Sequence, residues 1–297
     1  MVQQSPALIG RFAPSPTGPL HLGSLYTALA SFLAARSQQG QWLLRIDDLD
    51  TPRNCKGSIE SILTTLDIYG LHWDRDVFYQ SQQLTHYEDA LNQLEALNKL
   101  YPCVCSRKML ESTRYAGHCR HLSAVPSTAF ALRVKTDAQW LSFDDELQGT
   151  VRAQADDQGD FIIKRKDQIF AYQFAVVIDD AQQHVNQVVR GCDLLDSTPK
   201  QLYLQQLLGL PRPHYLHVPI IIDQQGQKLS KQTLANAVSL KSPAKVLFHL
   251  LNLLKQQPPR ELEYASTQEV LAWGILHWNP QPLKNLRMMY LPDVLSK

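Results

Sequence analysis

The segment 7–47 constrains the fold more than any other part of the chain. Residues 7–13, ALIGRFA, read as a short strand that Pro14, Pro16 and Gly18 stop. Leu22, Leu25, Leu29, Phe32 and Leu33 then recur at three- and four-residue spacings, which predicts a helix, with Gly40 as its C-cap. WLLRID, 42–47, reads as a buried strand. Strand, long helix, strand is a βαβ unit, and such a unit seeds a parallel sheet covered by helices. The expected fold class is α/β.

Downstream, helices are predicted over 58–69 and roughly 83–100. The stretch 103–165 changes character: three cysteines are followed by short strand-like runs, FALRV, TVRAQ and FIIKR. It reads as an insertion between two halves of the sheet, 1–102 and 166–240. AYQFAVVIDD (171–180), QVVRG (187–191) and LHVPIII (216–222) read as further strands, with a helix around 199–208. On this reading Tyr172 starts one strand and Arg190 ends another. The tail, 241–297, reads as helical.

Bulk properties exclude several classes. The chain has 297 residues, 44% of them hydrophobic and 19% charged, so it can bury a real core and is not a disordered polyelectrolyte. Its net charge is +1, so any RNA contact must come from local patches. No apolar run is long enough to span a membrane, and MVQQSPALIGRF lacks the pattern of a secretory signal. The expected location is the cytoplasm, where crowded cysteines point to metal rather than disulfides.

Five constellations carry chemistry. RFAPSPTGPLHLGS, 11–24, sets His21 before a helix and Gly23 in its first turn. A helix N-terminus suits phosphate, and a glycine lets a flat ring or phosphate lie on the backbone. The chain has neither the P-loop nor the GxGxxG pattern here. RIDDLD, 45–50, ends a strand with carboxylates able to hold an ammonium group. Tyr172 and Arg190 suit an acidic side chain. KLSKQ, 228–232, places Lys228 and Lys231 in a polar loop that can close on a triphosphate. Cys103, Cys105 and Cys119 offer three thiolates to zinc, with His118 or His121 as the ordinary fourth ligand. Arg107, Lys108, Arg114 and Arg120 lie close enough in sequence to touch RNA phosphates there. Taken singly, most of these also describe capped turns and solvated loops.

Their order and spacing resemble the glutamyl and glutaminyl branch of the class I aminoacyl-tRNA synthetases over residues 8–240. RFAPSPTG with HLGS looks like that branch's opening, with Ser24 where the HIGH motif ends in histidine, and KLSKQ looks like a KMSKS variant. The resemblance implies a Rossmann-type catalytic domain with a zinc-containing insertion and a short helical C-terminal segment. It implies ATP contacts at His21, Gly23, Asp193 and Lys231, with His21, Lys228 and Lys231 catalytic. It implies glutamate contacts at Arg11, Ser15, Asp47, Tyr172 and Arg190, Asp47 standing where the branch usually has glutamate. It also implies Tyr115, rather than a histidine, as the fourth zinc ligand. Mg²⁺ is expected on the phosphates.

Only about 60 residues follow KLSKQ, too few for a separate anticodon-binding domain. In this the chain resembles the glutamyl-Q tRNA(Asp) synthetase family, whose members place activated glutamate on queuosine in the anticodon of tRNA(Asp). The expected partners are then L-glutamate, ATP and the anticodon stem-loop of that tRNA, with the protein a monomer and no membrane involved. The alternatives are a minimal conventional glutamyl-tRNA synthetase and a non-catalytic zinc-containing RNA-binding paralogue.

Overall fold

The computed structural model describes residues 7–106, 109, 114–115, 117–121, 126–157, 159–229 and 237–292. The predicted βαβ unit is present. Strand β1 (Ile9–Phe12) leads through helix α1 (Leu22–Arg36) to strand β2 (Gln41–Ile46), and the two strands pair in parallel with Arg11 opposite Leu43. Helix α1 is buried along nearly its whole length, from Leu25 to Ala35, so it serves as the core of this half rather than as a cover. It ends at Ser37, not at Gly40. Gly40 instead closes the turn into β2, where a Cβ would lie 2.5 Å from the Leu8 carbonyl.

Helix α2 (Ser58–Ile68) follows, and strand β3 (Asp74–Tyr79) adds in parallel beside β2. The charged sequence of β3, DRDVFY, hides it from an apolar-run search. Helix α3 (Leu84–Ala96) lies within its predicted span.

The stretch expected as an insertion divides between two sheets. Strands β4 (Leu100–Cys103), β5 (Ala131–Val134) and β8 (Phe161–Lys164) form a small antiparallel sheet. Strands β6 (Trp140–Asp145) and β7 (Gly149–Gln154) form a hairpin that belongs to the main fold.

Residues 171–180 overturn an expectation. They are not a strand: Tyr172–Gln182 is helix α4. Seven consecutive residues, Phe174–Asp180, are buried. A helix wrapped on all sides loses its polar stripe, and a short apolar run then looks the same in either conformation. Strand β9 (Gln187–Gly191) and helix α5 (Thr198–Leu208) match their predictions closely. The run 216–222 is two strands, β10 (His214–Val218) and β11 (Ile220–Ile222), in different sheets. Pro219 separates them, because proline has no N–H to continue a ladder.

Strand β10 pairs in parallel with β9 on one side and with β6 on the other. The tail supplies helices α6 (Pro243–Leu253) and α7 (Thr267–His277), which pack on each other, with α7 also against α1. It also supplies an unexpected strand, β12 (Met288–Tyr290), parallel to β11.

No ladder joins β1 to β9 among the described residues. Asn186 bridges the two strands instead. It donates its amide N–H to the Ile9 carbonyl at 3.0 Å, accepts the Ile9 N–H on Oδ1 at 2.8 Å, and donates from Nδ2 to the Ala7 carbonyl at 3.0 Å. Helix α1 packs against both strands. The sheet therefore has two halves meeting at β1 and β9, the kind of crevice where open α/β sheets bind ligands.

Candidate active site

A cleft of about 650 Å³ opens at the carboxyl ends of β1 and β9. Arg11 and Ser15 come from β1 and its loop, His21 and Gly23 from the start of α1, and Tyr172 from the start of α4. Arg190 comes from β9, Asp193 from the turn after it, and Lys228 from the segment after β11. Eight of the ten residues assigned to glutamate, ATP or catalysis thus share one cavity. Asp47 is not in its wall, and Lys231 lies outside the described residues, as do Arg107 and Lys108.

The first turn of α1 explains His21. Its Nδ1 accepts the Ser24 backbone N–H at 3.3 Å, capping the helix, so the ring proton resides on Nε2. Nε2 then donates to the Ser24 hydroxyl at 2.9 Å. Ser24, the departure from the HIGH pattern, is therefore what holds this ring. Gly23 leaves little room for a side chain, since a Cβ would lie 3.2 Å from the imidazole.

Behind the cleft lies a buried network of charges. Asp180 accepts from Arg11 Nε at 3.2 Å and from Arg45 Nη1 at 2.6 Å. Arg45, fully buried, also donates through Nε to Asp47 at 2.7 Å. Burial raises the Asp47 carboxyl above its usual range, although Arg45 opposes this. For Asp180 the two guanidinium groups outweigh burial and hold the carboxyl below its usual range. Asp179 accepts from Gln80 at 2.6 Å and from the Tyr87 hydroxyl at 2.7 Å. Burial pushes it up to about 7 despite Arg45. Arg45, Asp179 and Asp180 were missed in the sequence. Adjacent carboxylates inside an otherwise apolar helix were the available signal, because such groups are buried only with partners.

Arg190 is held from the far side. Its Nε donates to His217 Nε2 at 3.0 Å and its Nη2 to the Thr198 hydroxyl at 2.8 Å. Across the cleft mouth, Lys228 Nζ pairs with Asp193 Oδ2 at 2.5 Å. An isolated bridge joins Lys228 to Ile222, and another joins His21 to Ala237. Lys228 and Ala237, on either side of the undescribed residues 230–236, thus pair with β11 and with His21.

In the small sheet, Cys103, Cys105 and Cys119 bring their Sγ atoms within 4.8 Å of one another. The Tyr115 hydroxyl lies 3.4 Å from Cys103 Sγ and 3.9 Å from Cys105 Sγ, and accepts the Cys119 N–H at 3.0 Å. The Arg133 guanidinium sits over the Tyr115 ring, 3.8 Å from its centre. Burial works against ionisation of Cys103, yet hydrogen bonding with Tyr115 and Arg133 brings this thiol down to about 7. Three soft donors, one already easily ionised, and an adjacent phenol suit zinc. Arg114 and Arg120 are each paired with an acid, Asp156 at 3.0 Å and Asp160 respectively.

The model of the catalytic domain of class I tRNA synthetases (E and Q) matches residues 7–272. The chain belongs to this family. Among curated relatives it is similar to the glutamyl-Q tRNA(Asp) synthetase of Pseudomonas syringae pv. syringae, 47% identical over 96% of this chain and 97% of the relative. It is also similar to that of Ectopseudomonas mendocina, 46% identical over 95% and 97%. Among solved structures, the glutamate-tRNA synthetase of Elizabethkingia anophelis superposes with a TM-score of 0.81, covering 98% of this chain and 69% of that one at 22% identity. That likeness shows the class I synthetase fold. The Rossmann-type sheet expected from the resemblance is therefore the observed one. In this class I synthetase, no helix of the described residues is long and apolar enough to cross a membrane.

Proposed function

We propose that the protein activates L-glutamate with ATP and transfers it to the queuosine base in the anticodon of tRNA(Asp). The observation that carries this is the convergence of Arg11 and Arg190 with His21, Gly23 and Lys228 in one cleft. Two guanidinium groups suit a dicarboxylate, and the helix N-terminus beside them suits a triphosphate. The relatives' names supply the acceptor.

Arg11, Ser15, Tyr172 and Arg190 bind glutamate on this reading, with Asp47 at the end of β2 supplying negative charge toward its ammonium. His21, Gly23, Asp193, Lys228 and Lys231 take the nucleotide, and Mg²⁺ shields the phosphates. A glutamate α-carboxylate oxygen attacks the α-phosphorus, and the bond to the bridging oxygen breaks to release pyrophosphate. His21 and the lysines stabilise the charge that builds on the phosphates. A hydroxyl of queuosine then attacks the carbonyl of glutamyl-adenylate, losing its proton as AMP leaves. Positioning carries most of the rate.

Cys103, Cys105, Cys119 and Tyr115 would hold one zinc ion, which would tie these residues together in a structural role apart from adenylation. Residues 1–102 and 166–240, together with the β6–β7 hairpin, supply the catalytic body, and helix α7 of the tail packs on it. The protein acts as a cytoplasmic monomer that clasps the anticodon stem-loop.

The test is transfer of labelled glutamate onto total tRNA from cells with and without queuosine. Labelling confined to the queuosine-containing pool is the expected result. Equal labelling of both pools would make the protein a conventional synthetase. No labelling of either would favour the non-catalytic RNA-binding paralogue.

A further inference from the structure

The hydrogen bonds around Arg190 continue beyond the cleft. Because the Nε of arginine always carries a hydrogen, the His217 Nε2 atom 3.0 Å away must accept and is unprotonated. The ring proton of His217 therefore sits on Nδ1, which donates to Asp145 Oδ2 at 2.6 Å. Asp145 in turn is fixed by the backbone N–H groups of Leu147 at 3.0 Å, Gln148 at 2.9 Å and His217 itself at 3.1 Å. The side chains of His217 and Asp145 are fully enclosed. Burial lowers the His217 pKa and the Arg190 charge lowers it further, against Asp145. The His217 ring also stacks on Tyr215, over which Arg190 lies at 5.4 Å.

We infer that Asp145 and His217 are positioning residues that aim the Arg190 guanidinium at the acidic end of the substrate. This deepens the proposed reading of the cleft and rests on it. Asp145 fixes the tautomer of His217, and neutral His217 gives Arg190 an acceptor that carries no charge. Arg190 is thereby oriented without being neutralised, unlike Arg11, which is paired with Asp180. With Nε bound by His217 and Nη2 by Thr198, the plane of the fork is set, and among the described residues Nη1 is left for a ligand in the cleft. A carboxylate partner in place of His217 would compete with the substrate's own carboxylate. An imidazole does not. The same chain runs from Arg190 through β10 to the β6–β7 hairpin, whose turn begins at Asp145.

The first experiment is glutamate-dependent ATP–pyrophosphate exchange by wild type, H217L and H217Q. His217→Leu removes the acceptor, and His217→Gln restores an amide oxygen near the Nε2 position. H217L should raise KM for glutamate by about 10- to 100-fold with KM for ATP unchanged, and H217Q should recover most of the loss. A glutamate KM untouched in H217L, or equal losses toward glutamate and ATP, would overturn the inference.

The second experiment keeps the native chain, so it decides the matter even if H217L does not fold. Nitrogen NMR of ¹⁵N-histidine-labelled protein near neutral pH should show His217 neutral with its proton on Nδ1. The opposite tautomer or an imidazolium would overturn the inference. Wild type that exchanges with no amino acid would instead defeat the assignment of the substrate, while the tautomer measurement would still judge the relay.

Discussion

Lys228 and Asp193 form an ion pair at 2.5 Å across the mouth of the cleft, joining the segment after β11 to the turn after β9. On the proposed reading, ATP entering the cleft exchanges this partner of the lysine for its own phosphates. Both side chains are partly exposed, so the pair itself adds little to stability. The K228A variant should therefore melt as wild type does, while kcat for glutamate-dependent pyrophosphate exchange falls by about 100-fold or more. A thermal melt beside the exchange assay separates the two effects. Wild-type exchange would remove Lys228 from the catalytic group.

Gly23 gives a second prediction. An alanine Cβ there would press on His21 Cε1 and Nδ1 at 3.2 Å and on the Leu229 carbonyl at 3.4 Å. The ring must turn away from Ser24 or the adjoining segment must retreat. The G23A variant should raise KM for ATP by about tenfold, with a smaller effect on KM for glutamate. Initial-rate exchange assays with each substrate varied in turn would read this split.

Asp179 predicts a pH dependence of stability. Its folded-state pKa, pushed up to about 7, lies well above the unfolded value of about 3.9. Between these two values the folded chain keeps a proton that the unfolded chain has released, so stability falls as pH rises through that window. Replacing Asp179 with Asn should flatten this part of the profile, because the amide cannot ionise. Urea midpoints at about pH 5 and about pH 8 for both proteins would show it. An unchanged slope would mean that another group carries the dependence.

The cysteine cluster predicts a separation of functions. Purified protein should carry one zinc ion per chain by metal analysis, and Cys119→Ala should lose it. The cluster lines no wall of the cleft, so pyrophosphate exchange should stay within about twofold of wild type. Glutamate transfer to tRNA should fall much further. Exchange lost in step with transfer would make the ion a support for the whole fold.

Loops were easier to read than buried elements. HLGS and the start of KLSKQ were legible because their residue types and spacing form local patterns, and His21, Gly23 and Lys228 do line one cleft. Tyr172 and Arg190 both line the cleft although helix α4 was mistaken for a strand. The start of either element would set Tyr172 at the same rim. What remained hidden was paired at long range. Asp180 meets Arg11 across 169 residues, and His217 meets Asp145 across 72. Neither pairing leaves a local pattern. A histidine in the middle of the apolar run LHVPIII was nevertheless a signal, since a buried imidazole needs partners. Strand β6 was similarly available: Leu141 and Phe143 alternate with exposed Trp140, Ser142 and Asp144.

The junction of β1 and β9 bears on how the two halves of the sheet are held together. A continuous ladder there would make the sheet a rigid plate, and every widening of the cleft would break a row of backbone bonds. Asn186 supplies three hydrogen bonds instead, each contributing on the order of 1 kcal/mol. All three lie at the amino end of β1, opposite the end where the cleft opens. The two halves are thus stapled at the base by Asn186 and, behind the cleft, by the ion pairs of Arg11 and Arg45 with Asp180. A seam held by a few side chains rather than by a row of backbone bonds can be loosened one residue at a time, and Asn186 and Asp180 are the positions whose loss would weaken it while leaving the pairing within each half intact.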